Sequence, residues 1–402
     1  MAFDVVAVRE QFPALKSGIA HFDGPGGTQT PSVVADAITR TLLAPLSNRG
    51  PLVASERNAE KVVEEFRLAF SDLLGVSPRG IVIGRSATQI AYDVSRMLAK
   101  SWGPGDEIVV SRLDHDSNVR PWVQAAEAVG ARIVWLPLDA ATAGLDLSGL
   151  DSVITDRTRL VAVTAASNLL GTKPPVARIA RRAHAVGALV YVDGVHHAAH
   201  SSVDVGALGA DFFTCSPYKF FGPHCGVLAA DPELLESLHP DKLIPSTNRV
   251  PERFELGTLP YEIMAGATAA VDFIAGIGTD AGSRRERLIA AHHLIDEHEV
   301  RLRGRVEDGF ARFGDRVRCH SVAEERTPTL FFTFDGVDAT EVYRFLAARH
   351  VLAPAGSFYA HEAIRALNTG TDTGLRVGLA AYNDDTDIDR LLTGVDEYLR
   401  AN

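Results

Sequence analysis

An acid and a lysine in the middle of the chain stand where they could do chemistry. Asp193 closes the apolar run 188–192, and Lys219 sits in the aromatic-flanked turn Ser216-Pro217-Tyr218-Lys219 that follows a second run, 211–215. A run that is apolar at every position and stops abruptly, here at Asp193-Gly194, reads as a buried parallel strand. In open α/β sheets ligands bind at the carboxyl ends of strands, so the two side chains are expected to face one site. A lysine amine forms a Schiff base and an acid pairs with a pyridinium nitrogen, and together they suit pyridoxal phosphate.

Other strand ends supply further candidates. The run 81–84 leads into Arg85-Ser86-Ala87-Thr88, a strand entering a helix start. Free backbone amides and the positive end of the helix dipole make such a start a seat for phosphate. Plain capping by Ser86 or Thr88 is the commoner use of these residues, but the neighbouring strand ends favour the phosphate reading. His115, in the loop 114–118 after the run 107–111, either lies flat on a cofactor ring or caps its loop. Asn168, beyond the run 160–164, either holds a ring substituent or forms a turn ahead of Gly171. His196, His197 and His200 lie near Asp193 but lack the spacing of a zinc motif. Lys219 is either a surface lysine lying along apolar neighbours or a buried amine of lowered pKa able to act as a nucleophile. Gly24-Pro25-Gly26-Gly27-Thr28 lacks the Gly-Lys-Ser/Thr ending of a P-loop and reads as a tight turn close to a ligand.

The elements that position these residues alternate in the manner of βα units around a parallel sheet. Strands are expected at 80–83, 107–111, 132–137, 160–164, 188–192, 211–215 and 226–230, with helices at 87–100, 119–129 and 176–186. In the last of these, Val176, Ile179, Ala180, Ala183 and Val186 share one face while Arg178, Arg181 and Arg182 share the other. After about residue 257 the pattern changes to long helices, near 261–277 and 284–305, and then to runs at 329–334 and 376–379. A large domain over 20–275 and a smaller α+β domain over 276–402, joined by the N-terminal segment 1–19, are expected, with the joint near 276–282.

Composition narrows the classes of function. The chain has 402 residues, 46% hydrophobic and 23% charged, which is ordinary for a globular protein. A net charge of −11 without basic clusters argues against nucleic acid as a partner. No apolar stretch approaches the roughly 18 residues that span a bilayer, and the N-terminus reads as neither a signal nor a transit peptide. A cytoplasmic protein with no membrane partner is expected. Cys215, Cys225 and Cys319 are the only cysteines and form no CxxC pair, which argues against a disulfide framework.

The ordered motifs FDGPGGTQ, GRSAT, LDHDSNVRPW, SNLLGT, VDGVHH, SPYKFFGP, ELGT and LRVGLAAYN span about 22–383. In that order the chain resembles class V, fold type I pyridoxal-phosphate enzymes of the cysteine desulfurase-like branch. The resemblance implies an α/β fold with a large, seven-stranded, mostly parallel sheet and a smaller α+β C-terminal domain. It implies that Lys219 forms the Schiff base and shuttles the Cα proton, that Asp193 holds the pyridine nitrogen protonated, and that His115 stacks on the ring. Ala87, Thr88 and Ser216 would bind the phosphate, with Thr258 reaching in from the second subunit of a homodimer. Asn168 would sit near the ring oxygen or the substrate. Arg376 would clamp the substrate carboxylate bidentately, and the side-chain pocket would draw on the loops at Gly26, His196 and Phe358.

The chain also departs from the branch. His196 stands where glutamine is usual, at a cofactor-binding position. Tyr218 replaces the usual histidine before the lysine and still offers a hydroxyl to phosphate. The persulfide-forming cysteine is missing from 353–360, the loop ahead of Arg376. The expected function is therefore action on an amino acid through an external aldimine, by β-elimination or C–S cleavage rather than persulfide transfer. Transamination and epimerisation use the same carbanion and stay open, and a non-enzymatic cofactor-binding regulator is the reading from a different class.

Overall fold

Apolar runs of the first half pair into one seven-stranded sheet. The computed structural model describes residues 3–278 and 280–401. Met1, Ala2, Thr279 and Asn402, at the outer ends of the expected small domain and within the expected joint, lie outside the described residues. The strands are β1 (Ile81–Gly84), β2 (Glu107–Ser111), β3 (Arg132–Leu136), β4 (Thr158–Thr164), β5 (Leu189–Asp193), β6 (Phe212–Cys215) and β7 (Gly226–Ala230). They lie in the order β1-β7-β6-β5-β4-β2-β3. β7 runs antiparallel to both neighbours, and the pairings β6–β5, β5–β4, β4–β2 and β2–β3 are parallel. The expected mostly parallel α/β sheet is the one found.

Boundaries moved for local reasons. β1 starts after a short 3-10 turn, Pro78–Gly80. β6 starts at Phe212 because Asp211 turns its carboxylate to the Val190 amide, 2.7 Å away, and to His184, 2.9 Å away. Asp193 lies inside the ladder rather than beyond it, in register with Thr164 on β4 and Thr214 on β6.

Both faces of the sheet are covered, which is why its strands lack a polar side. Alternate residues face opposite ways along a strand. Val161, Val163, Val190, Val192 and Phe213 pack with the helices α1 (Ala54–Leu74), α2 (Val176–Ala185) and α3 (Tyr261–Ala275). Ile108, Val110, Leu160, Tyr191 and Phe212 pack with Ile90, Val94, Trp122 and Ala126 from the helices Ala87–Ala99 and Arg120–Val129. Each fully buried aliphatic or aromatic side chain of this kind contributes about 1.5–3 kcal/mol.

A second sheet, all antiparallel, is formed by β8 (Val317–Cys319), β9 (Thr329–Phe334), β10 (Ala355–Gly356) and β11 (Gly374–Gly378) in the order β8-β9-β11-β10. The helix α4 (Arg284–Ala311) runs past the expected end near 305 and joins the two cores. Its Leu288, Ala291 and Ile295 pack in the core of the large sheet, and its Leu302, Val306 and Phe310 pack in the core of the small one. The N-terminal segment is shared in the same way. Val8 and Phe12 enter the first core, whereas Ala20 and Phe22 enter the second, where Ala20–His21 pairs with Val351–Leu352.

Candidate active site

Loops leaving the carboxyl ends of β1, β2, β4, β5 and β6 open into one cavity of about 690 Å3. The cavity gathers Ala87 and Thr88 from the helix after the first loop, His115 from the second loop, Asn168 from the third, Asp193 from the end of β5 and His196 from the loop after it, and Ser216, Tyr218 and Lys219 from the fifth. Gly26 from the N-terminal loop, Phe358 from the loop after β10 and Arg376 from the small sheet complete it. Thr258 is the expected site residue that the fold does not bring here. It is exposed, outside the cavity of its own chain.

Lys219 is 9% exposed, so it is not a surface lysine. Its turn is clamped by the glycine-rich loop, where Thr28 N–H and Oγ1 donate to the Tyr218 carbonyl and Thr28 Oγ1 accepts from the Phe221 amide. Lys219 Nζ donates to the Pro25 carbonyl and lies 4.6 Å from the Tyr218 ring centroid. Tyr218 in turn stacks on His224, with centroids 4.6 Å apart. Burial, reinforced by the Arg376 charge and opposed by Asp23 and Asp193, brings the Lys219 amine down to about 7. An amine neutral near physiological pH is a competent nucleophile and base.

Asp193 Oδ1 accepts from the Val195 amide at 2.9 Å. Burial raises its carboxyl to about 6, against the pull of that amide and of Lys219. Gly194 must follow it, because a Cβ there would stand 1.8 Å from Phe213 Cζ. His115 caps its loop and also lines the cavity. Its Nδ1 accepts from the Ser117 amide at 3.1 Å. Burial, with Lys219 and Arg376 adding to it, lowers His115 to about 4, so the ring is neutral. Beneath it lies Asp114, raised to about 8 by burial and held by Ser111 and by Asn118, whose Oδ1 accepts from Trp122 Nε1 at 2.9 Å.

Ser86 caps the helix Ala87–Ala99, its Oγ accepting from the Gln89 amide at 3.1 Å, and it also lines the cavity. The amide-rich end of a thirteen-residue helix therefore faces the cavity, beside Ser216. Asn168 ties two loops, with its Nδ2 donating to the Phe358 carbonyl at 2.9 Å. His196 Nε2 lies between Thr327 Oγ1 at 2.9 Å and Thr329 Oγ1 at 3.0 Å, just before and at the start of β9 in the small sheet. His200 Nδ1 pairs with Glu299 at 2.8 Å while its ring packs edge-on against His196, centroids 4.8 Å apart, and among the described residues no three His, Cys, Asp or Glu side chains group to hold a metal ion.

Arg376 is on β11, between Leu375 and Val377, which are buried in the small core. The strand's alternation therefore sends it the other way, into the cavity. Its guanidinium lies over the Phe358 ring at 3.8 Å and donates from Nη1 to the Asn168 carbonyl at 3.1 Å and from Nη2 to Asp23 Oδ1 at 2.5 Å. Asp23 went unnoticed as a site residue in the sequence. Its signal was its place at the head of the Gly-Pro-Gly-Gly turn. The cysteines lie elsewhere. Cys215 and Cys225 are buried, none of the chain's cysteines lines the cavity, and burial pushes the Cys225 and Cys319 thiols up to about 12 and about 11.

Pyridoxal phosphate fits this donor set. Asn168 Oδ1, His196 Nδ1 and Arg376 Nε are buried without a hydrogen-bond partner, and all belong to residues that line the cavity. Unpaired buried polar atoms of this kind point to a missing ligand. A buried acid, a buried amine of lowered pKa and a helix N-terminus surround the same space.

The class-V aminotransferase family matches residues 20–391. The chain is 31% identical over 414 residues to the cysteine desulfurase CsdA of Escherichia coli (strain K12), covering 99% of this chain and 98% of that protein. It is 30% identical over 419 residues to the aminotransferase-like protein FGM3 of Gibberella zeae, covering 99% of each. The crystal structure of the E. coli cysteine desulfurase CsdA in its S-sulfonic acid form matches the fold with a TM-score of 0.88 at 28% identity, over 100% of both chains. The chain thus belongs to the class-V aminotransferase family of pyridoxal-phosphate-dependent enzymes, in its cysteine desulfurase-like branch.

Proposed function

We propose that the protein is a lyase that removes a β-substituent from an amino acid, by C–S cleavage or a related β-elimination, without forming a persulfide on its own chain. The observation that carries this reading is a cavity with the amine and the guanidinium in place and no thiol on its walls. Where the loop ahead of Arg376 enters the cavity it presents Phe358 and Tyr359.

Pyridoxal phosphate, when bound, supplies the electron sink that makes an amino acid's Cα–H acidic. Lys219 would hold the cofactor covalently and Asp193 would face its ring nitrogen. His115 would cover its face, Asn168 and His196 would reach its ring substituents, and Ala87, Thr88, Ser216 and Tyr218 would hold its phosphate. Arg376 orients the substrate through its carboxylate, and the neutral Lys219 amine takes the Cα proton. Loss of that proton expels the β-substituent with its bonding electrons, and hydrolysis leaves a keto acid and ammonia. Phe358 lies over Arg376 at 3.8 Å, Tyr359 lies beside His115 with ring centroids 5.5 Å apart, and both line the cavity. The substrate is a small molecule, an amino acid, and we place the enzyme in the cytoplasm.

The test is a panel of β-substituted amino acids, cysteine included, offered to the loaded enzyme with products resolved by mass spectrometry. Keto acid, ammonia and a free thiol or other leaving group are expected, and Lys219→Ala abolishes their formation. A protein-bound persulfide after cysteine, transfer of the amino group to an added keto acid, or inversion at Cα without elimination would each overturn the lyase reading.

A further inference from the structure

Arg376 does not wait with an open fork. Nη2 holds Asp23 and Nη1 holds the Asn168 carbonyl, while the ring of Phe358 covers one face. Asp23 is brought there by the shape of its loop. Its carbonyl accepts from the Gly26 and Gly27 amides, and its carboxylate fills the space beside Gly26, where a Cβ would stand 2.1 Å from Oδ2. The loop lies directly on the strand that carries the arginine. A Cβ on Gly24 would come 2.5 Å from the Leu379 carbonyl oxygen, and a Cβ on Gly378 would come 2.1 Å from Pro25 Cδ. Through Pro25 the same loop also holds Lys219. The acid is the more accessible of the two, with a side-chain exposure of 31% against 3% for the arginine.

We propose that Asp23 is the resident counter-ion of the carboxylate anchor, and that a substrate carboxylate binds by exchanging with it at Arg376. This rests on the reading of Arg376 as that anchor. A buried guanidinium left unpaired is strongly unfavourable, so the fold supplies its own carboxylate when none is bound. An incoming carboxylate then gains only the difference between its own contacts and those of Asp23. A planar carboxylate that engages Nη2 and the unpaired Nε together replaces one resident bond with two, and an anion limited to one contact does not. Asp23 thereby sets both the affinity and the selectivity of the anchor.

Calorimetric titration of the cofactor-loaded protein with sodium propionate tests this, alongside steady-state kinetics. Asp23→Asn is expected to tighten propionate binding by roughly tenfold or more and to lower KM without raising kcat. Unchanged or weaker propionate binding in Asp23→Asn, with binding still abolished by Arg376→Gln, would make Asp23 a mere brace and overturn the proposal while the anchor stands. Propionate binding indifferent to Arg376→Gln would instead remove the anchor itself. If Asp23→Asn does not fold, Asp23→Ser carries the same expectation with a smaller neutral side chain.

Discussion

Lys219 sets the pH dependence of Schiff-base formation at this site. Its amine lies at about 7 instead of its usual 10.5 because burial and the Arg376 charge disfavour the ammonium, while Asp23 and Asp193 pull the other way. Below that value the amine holds a proton and cannot attack. Incorporation of pyridoxal phosphate, followed by visible absorbance, is therefore expected to accelerate through about pH 7 and level off by about pH 8–9, where an ordinary lysine would still be gaining. Arg376→Gln should shift the midpoint upward, since it deletes a repelling charge, and Asp23→Asn should shift it downward. A rate still climbing at about pH 10 would show an unperturbed lysine. The sign for stability follows. Between about 7 and 10.5 the unfolded chain holds this proton and the folded chain does not, so this group makes stability rise with pH across that window.

Elements meet the cavity by backbone approach, and the glycines mark where. Gly194→Ala would drive a methyl into the Phe213 ring just beyond Asp193, whereas a Cβ added at Gly304, on α4, would have nothing within 4 Å. Overpacking of this kind typically costs about 1–3 kcal/mol, and replacing a helical glycine that has free space beside it by alanine gains about 0.5–1 kcal/mol. Urea denaturation should show Gly194→Ala destabilised, with weakened cofactor binding, and Gly304→Ala stabilised with cofactor binding unchanged. Equal effects at both positions would mean that the strand end has slack. The strand-to-helix loop at 358–359 is constrained by other means. Phe358 and Tyr359 both have left-handed φ, 55° and 56°, which non-glycine residues adopt at a cost. Asn168 Nδ2 on the Phe358 carbonyl and the Asp116 amide on the Tyr359 carbonyl hold them there.

At the scale of the molecule, the site lies between two cores that α4 joins. Among the described residues, no helix is long and apolar enough to cross a membrane. Exposed apolar side chains occur on two segments, Leu42, Leu43, Leu52 and Val53 on one, and Leu243, Ile244 and Leu256 on the other, which runs into Thr258. The Arg49–Glu252 ion pair at 3.3 Å links the two segments. We propose that this surface is covered in a homodimer and that Thr258 completes the partner's site. Sedimentation should give twice the chain mass, and Ile244→Asp should yield a folded monomer with weakened cofactor retention. A fully active wild-type monomer would end this proposal.

The sequence by itself determined the sheet and most of the residues at its strand ends. Those signals are local: an apolar run, a polar stop and a helix cap fall within a few residues of one another, as at Val190-Tyr191-Val192-Asp193 and at Ser86. It also carried the absence of a cysteine at 353–360, but only the fold decided what fills that place. Phe358 meets Asn168 across 190 positions, and Arg376 meets Asp23 across 353. His196 turned to Thr327 and Thr329 on the same principle, since a buried ring nitrogen bonds to the polar atoms that the segment leading into the small sheet brings to it. Pairings of that length depend on how the two cores pack around α4 and on which buried charges need a partner. No run of neighbouring residues records them, so the lysine and its acid were legible in the chain while the occupant of the arginine's fork was not.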